Sequence, residues 1–90
     1  MYKETKKIPV MGAKKEVPIN KLKKRQSGTV KKINTMNTVT VQKLLAMGIV
    51  PGRIIHIIRT YAVYILQIDN TEVAMDKELA QNVILMINSL

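Results

Sequence analysis

The apolar positions of this chain change period several times, and the changes mark out a series of short elements. Val30 and Ile33 flank the solvated pair Lys31-Lys32, which predicts a first strand over Thr29–Asn34. Val41, Leu44, Leu45 and Gly48 then take the i, i+3, i+4, i+7 spacing of a helix. Thr40 is the expected N-cap, because its hydroxyl can accept from an orphan amide one turn on. Gly48 is placed to take the left-handed residue that closes the helix. Two turns are unstable in isolation, so this helix requires its leucine face to be buried.

Pro51-Gly52 follows, with Pro pre-setting φ at the second position of a tight turn and Gly supplying positive φ at the third. Arg53–Thr60 reads as a strand with Ile54, His56 and Ile58 on one face and Ile55 and Ile57 on the other. Ala62–Asp69 reads as another, Tyr64, Leu66 and Ile68 opposing Val63, Ile65 and Gln67. Asp69-Asn70 supplies a hairpin turn, Glu72–Met75 returns, Asp76 caps a short helical turn through Ala80, and Val83–Ile87 closes the domain. Upstream, Ile19–Lys24 allows one turn in which Ile19 and Leu22 share a face, and Ser27-Gly28 marks a turn. In residues 1–18, Lys6-Lys7 and Lys14-Lys15 alternate with two Pro and a Gly without a lasting period. That segment is expected to be a flexible basic arm, with at most an edge-strand contact near Ile8–Val10. The pattern predicts an all-β domain over residues 19–90: about five short strands, one short inserted helix and a second helical turn. For so few residues a small barrel is the economical solution, since closure leaves few open edges.

Composition supports strands over helices. The chain of 90 residues has 12 Ile and 9 Val but no Phe or Trp, and β-branched side chains fit a pleated surface. Charge divides the chain unevenly. Residues 1–35 hold eleven Lys and Arg against Glu4 and Glu16, while residues 36–90 carry four of each sign. The whole formal charge of +9 therefore lies in the first third. The basic residues singled out are Lys6, Lys7, Lys14, Lys15, Lys23, Lys24 and Arg25, which suit an anionic membrane surface, nucleic acid or an acidic partner.

Candidate chemistry is sparse. There is no Cys and a single His, so no disulfide framework, thiolate zinc site or cysteine nucleophile can form, and one imidazole binds divalent metal poorly. Ser27 and Ser89 have no base nearby and no Gly-rich phosphate loop is present. No enzyme activity, metal site or cofactor is expected. Leu44–Val50 and Tyr61–Leu66 are far shorter than a membrane-spanning helix, and Ile8–Ala13 is too broken for a signal peptide. The expectation is a cytoplasmic protein, held at most at the inner face of a membrane by its basic arm. If Ile55 and Ile57 face inward, then Ile54, His56, Ile58, Val63 and Ile65 face outward, more aliphatic surface than a solvated strand needs. Such area marks a partner or self-association site, homo-oligomers included.

The block Lys43-Leu44-Leu45-Ala46-Met47-Gly48-Ile49-Val50-Pro51-Gly52 resembles the helix-to-turn signature of the ferrous iron transport protein A family. Ile55-His56-Ile57, Val73 through Ala80, Val83 with Leu85, and Val17 through Leu22 are similar to that family's flanking segments, so the likeness spans about residues 17–88. It implies an SH3-like barrel in which Leu44, Met47, Gly48, Pro51, Gly52 and Ala80 are mainly structural. It implies an accessory role in bacterial ferrous-iron uptake, by docking to the membrane permease, ferrous iron transport protein B, whose cytosolic part is a GTP-binding domain. The candidate contacts are Pro51, Gly52, Ile54, His56, Ile58 and Ile65. Similar domains also end metal-dependent repressors of the diphtheria-toxin type, but no helix-turn-helix segment precedes this one, so a free-standing module is expected. Two other readings stand beside it. One is a basic β-barrel that binds nucleic acid, poorly supplied with stacking rings because only Tyr2, Tyr61 and Tyr64 are aromatic. The other is a weak Fe(II)-binding chaperone or sensor acting through His56 and nearby carboxylates.

Overall fold

The computed structural model describes residues 13–89. In chain order they form β1 (Ala13–Pro18), a 3-10 turn (Ile19–Lys21), β2 (Ser27–Ile33), α1 (Thr38–Ala46), β3 (Ile54–Arg59), β4 (Tyr64–Ile68), β5 (Thr71–Met75), α2 (Lys77–Ala80) and β6 (Val83–Ser89). All six strands belong to one antiparallel sheet, ordered β1-β6-β2-β3-β4-β5. Every strand sends side chains into a single core: Val17, Val30, Ile55 with Ile57, Tyr64 with Leu66 and Ile68, Met75, and Val83 with Leu85. A sheet whose strands all feed one core must wrap around it, and the result is a mainly β, SH3-like barrel. Ile19, Leu22, Leu44, Ile49 and Ala80, from the turns and helices between the strands, join the same core. No polar or charged residue is buried among the described residues, so burial carries no desolvation cost for ions.

The described residues hold six strands where the sequence pattern gave about five, and the addition is β1. Its charges led to residues 13–18 being read as part of a flexible arm. In the structure they pair with β6 from Ala13 opposite Ser89 to Pro18 opposite Ile84, and Val17 is buried. β1 is an edge strand, paired on one side only. An edge tolerates lysines and a proline, because half of its backbone groups need no ladder partner. Residues 1–12, with Lys6, Lys7 and the Ile8–Val10 contact, lie outside the described residues.

The inserted helix begins earlier than its apolar spacing implied. Asn37, not Thr40, is the N-cap: its Oδ1 accepts from the Thr40 amide at 3.0 Å. A side-chain carbonyl one residue before the helix out-competes a hydroxyl already inside the first turn. At the other end Gly48 has φ +93°. The Ile49 amide donates to Leu44 O and the Gly48 amide to Leu45 O, both at 3.0 Å. This 6→1 and 5→2 pair is a Schellman motif, whose usual apolar contact joins the residues at its two ends. Here those residues are Leu44 and Ile49, both fully buried. Leu45, read from the sequence as part of the same face, is 45% exposed.

Ser27-Gly28 is not a turn but the start of β2. The turn lies just before it, where the Gln26 amide donates to Lys23 O at 3.1 Å and Arg25 holds φ 78°. Asp76 caps α2 as its sequence position implied, accepting from the Leu79 amide at 2.8 Å.

A candidate docking surface on strands β3 and β4

The Pro51-Gly52 bend leads directly into this surface. The Arg53 amide donates to Val50 O at 3.0 Å and Gly52 takes φ +95°, the geometry of a type II turn. The bend is pinned to β2 by the Gly52 amide on Val30 O and the Val30 amide on Arg53 O, at 2.9 and 2.8 Å. Strand β3 therefore starts from a fixed point. Its alternation turns Ile55 and Ile57 inward and leaves Ile54 and His56 exposed, with Ile58 half-buried. A register shift between Ile57 and Arg59 marks a bulge, after which Arg59 faces Ile65. Bulges bend a strand and re-aim side chains, and Ile58 lies at this one.

Between β3, the end of β4 and the Lys23–Gln26 turn runs an open groove of ≈660 Å³. Ile54, His56 and Ile58 line it, together with Lys24, Arg25, Gln67 and Asp69. Two backbone bonds hold the basic turn against β3: the Arg25 amide donates to Ile57 O and the Ile57 amide to Gln26 O, both at 2.8 Å. The Lys23 amide also donates to Gln26 Oε1 at 2.7 Å. At the other end, Arg53 Nη1 meets Asp69 Oδ2 at 2.6 Å. Gln67 faces His56 across the β3–β4 ladder.

Three of the six contacts expected from the sequence, Ile54, His56 and Ile58, thus share one groove. Pro51, Gly52 and Ile65 are not among its lining residues. Pro51 and Gly52 are exposed in the preceding bend, while Ile65 is half-buried opposite Ala74 of β5. The basic residues are also divided. Lys14 and Lys15 are exposed on β1, whereas Lys23, Lys24 and Arg25 belong to the turn of the folded domain. Sequence reasoning missed Gln67 and Asp69 as groove residues. Part of their signal was present, since Gln67 shares the parity of Ile65, but the β3–β4 register that sets it opposite His56 is visible only in the fold. Among the described residues no three or more His, Asp or Glu side chains gather as metal ligands, and no helix is long and apolar enough to cross a membrane.

Leu44 and Ala80 are fully buried, Met47 packs against the core as the C-cap of α1, and Gly48 and Gly52 hold positive φ. The model of the FeoA domain matches residues 17–86. The chain belongs to the FeoA family. A crystal structure of an iron uptake regulatory protein (FeoA) is 27% identical, covers 79% of this chain and 95% of its own, and superposes at TM-score 0.73. FeoA from Stenotrophomonas maltophilia, solved with zinc and described as a prokaryotic SH3 domain protein, is 17% identical, with 77% of this chain and 88% of its own covered, at TM-score 0.68. IdeR from T. acidophilum is 16% identical at TM-score 0.76, covering 81% of this chain but 34% of its own. The last two show the fold alone. No curated protein sequence matches this chain.

Proposed function

We propose that this FeoA-family protein is a small accessory component of bacterial ferrous-iron transport that acts by docking, not by catalysis, and that its partner is the membrane ferrous-iron permease. The observation that carries this reading is Ile54, 57% exposed on a strand beside half-buried Ile58. A rigid sheet that leaves aliphatic side chains in water at the wall of a groove is suited to binding a partner. The working place is the cytoplasm, at the inner face of the membrane. The exposed lysines of β1, Lys14 and Lys15, would add attraction to acidic lipid.

The test is capture of the permease from solubilised native membranes by the full chain. Ile54→Glu with Ile58→Glu should retain the fold, because neither residue belongs to the buried core, and should lose capture. Unchanged capture by the folded double variant would overturn the contact assignment. The nucleic-acid reading gains little from the fold: Tyr61 is 82% exposed, but Tyr64 is buried with its hydroxyl donating to Asn20 O, so the two rings form no stacking platform. The Fe(II) reading retains His56 and Asp69 in one groove, which leaves a flat Fe(II) titration of their resonances as the result that would discard it.

A further inference from the structure

We infer that the β3–β4 groove receives a short acidic, aliphatic segment of the partner protein in extended conformation, with its carboxylates on Lys24 and Arg25 and its apolar side chains on Ile54 and Ile58. This rests on the docking reading above and specifies the chemistry of the occupant. The groove has one basic wall and one aliphatic wall. Lys24 and Arg25 stand on the turn, held at a fixed distance from β3 by the backbone pair between residues 25–26 and Ile57. Its single carboxylate, Asp69, is already engaged by Arg53 at 2.6 Å. The two cations on the turn have no acidic neighbour in the groove beyond that paired one, so the charge that complements the groove is negative.

Three features select a peptide over other anions. First, the groove of ≈660 Å³ accommodates a few residues, whereas a duplex covers a far larger protein surface, roughly 1,000–2,500 Å². Second, half-exposed isoleucine is wasted on phosphate but gains from burial against a leucine or isoleucine, because covering apolar surface removes it from water. Third, no Tyr, Trp or Phe lines the groove, so the ridged aromatic surface that receives a polyproline helix is missing. His56 and Gln67, opposite one another across the ladder, supply side-chain hydrogen-bonding groups midway along the groove for the backbone of the occupant.

The experiment titrates the ¹⁵N-labelled full chain with an acetylated peptide of alternating glutamate and leucine. Parallel arms use its lysine–leucine counterpart, a proline-rich peptide, a thymidine oligonucleotide and phosphatidylglycerol vesicles. The expected result is fast-exchange shifts of the Arg25, His56 and Gln67 amides with the acidic peptide and none with the lysine peptide. Affinity should fall about tenfold or more in Lys24→Glu with Arg25→Glu, and should weaken as salt is raised to about 1 M. The salt series needs no variant, so it reads the charge requirement even if the double substitution fails to fold. Equal shifts with both charged peptides, or shifts at these amides with only the proline-rich peptide, the oligonucleotide or the vesicles, would overturn the proposal. Permease capture that survives the Lys24/Arg25 substitutions while peptide binding is lost would remove the groove as the contact and leave the accessory role standing. Peptide binding that survives in a chain unable to capture the permease would support the groove and discard the permease as its partner.

Discussion

Gly28 lies so close to β6 that a methyl group added to it would stand 2.7 Å from Ile87 Cγ2 and 2.8 Å from Met86 O. The β2–β6 ladder, which joins the first half of the chain to its last strand, depends on that missing side chain. One of the two close neighbours is backbone and cannot rotate away, so overpacking there is relieved only by moving a strand. Gly28→Ala is expected to destabilise the fold by about 1–3 kcal/mol, read as a lower urea midpoint. Gly52, where an added methyl group would meet nothing within 4 Å but φ is +95°, makes the contrast. Gly52→Ala should cost only the ~1–2 kcal/mol of a left-handed backbone and leave the β2–β6 amide resonances in place.

Adjacent leucines in α1 should respond in opposite ways. Leu44 is fully buried and Leu45 is 45% exposed. Leu44→Ala is expected to cost about 2–5 kcal/mol, a large part of what a domain this small possesses. Leu45→Ala should stay within about 0.5 kcal/mol of the parent. Equal losses for the two, measured by thermal or chemical denaturation, would contradict the placement of the helix.

The helix caps predict a second contrast. Asn37→Ala removes the acceptor for the Thr40 amide, and Asp76→Ala the acceptor for the Leu79 amide. Each should cost about 1 kcal/mol, lowering Tm by roughly 4–8 °C in a domain of this size. Thr40→Val, which deletes only the hydroxyl, should change Tm less than Asn37→Ala does.

The Arg53–Asp69 pair ties the start of β3 to the β4–β5 hairpin, but its side chains are 45% and 70% exposed. A double-mutant cycle should therefore return a coupling of about 1 kcal/mol or less, shrinking as salt is raised. Asp69 also holds φ 55°, so Asp69→Gly should be tolerated where Asp69→Val is not. A large, salt-insensitive coupling would mean that the pair is shielded from water, against its exposure here.

Much of the barrel could be read from residue order alone because its signals are local. The two-residue alternation in β3 and β4 reports burial parity directly, and Ile55, Ile57, Tyr64, Leu66 and Ile68 all lie inside as that alternation requires. Gly48 and Gly52 take positive φ as their turns demand, and Asp76 caps α2. Where local signals failed, a partner distant in sequence supplied what the segment lacked. Lys14, Lys15 and Glu16 look like a solvated arm until β6 offers a ladder at the sheet edge. Gly28 looks like a turn until β6 approaches it.

The candidate groove divides along the same line. Its apolar wall, Ile54 and Ile58, follows from strand parity, which one segment carries by itself. Its basic wall does not. Lys24 and Arg25 are some thirty residues away from β3 along the chain, and the fold brings them there by backbone hydrogen bonds to Ile57. The sequence by itself determined which strand side chains could be inside, the bends at Gly48 and Pro51-Gly52, and to which family the chain is similar, since burial parity and backbone φ depend on neighbours a few residues apart. Only the tertiary structure decided that β1 is a strand, that Leu44 and not Leu45 is core, and that two cations and two isoleucines share one groove. Each of those depends on contacts between segments far apart in the chain, and no local pattern encodes how such segments meet.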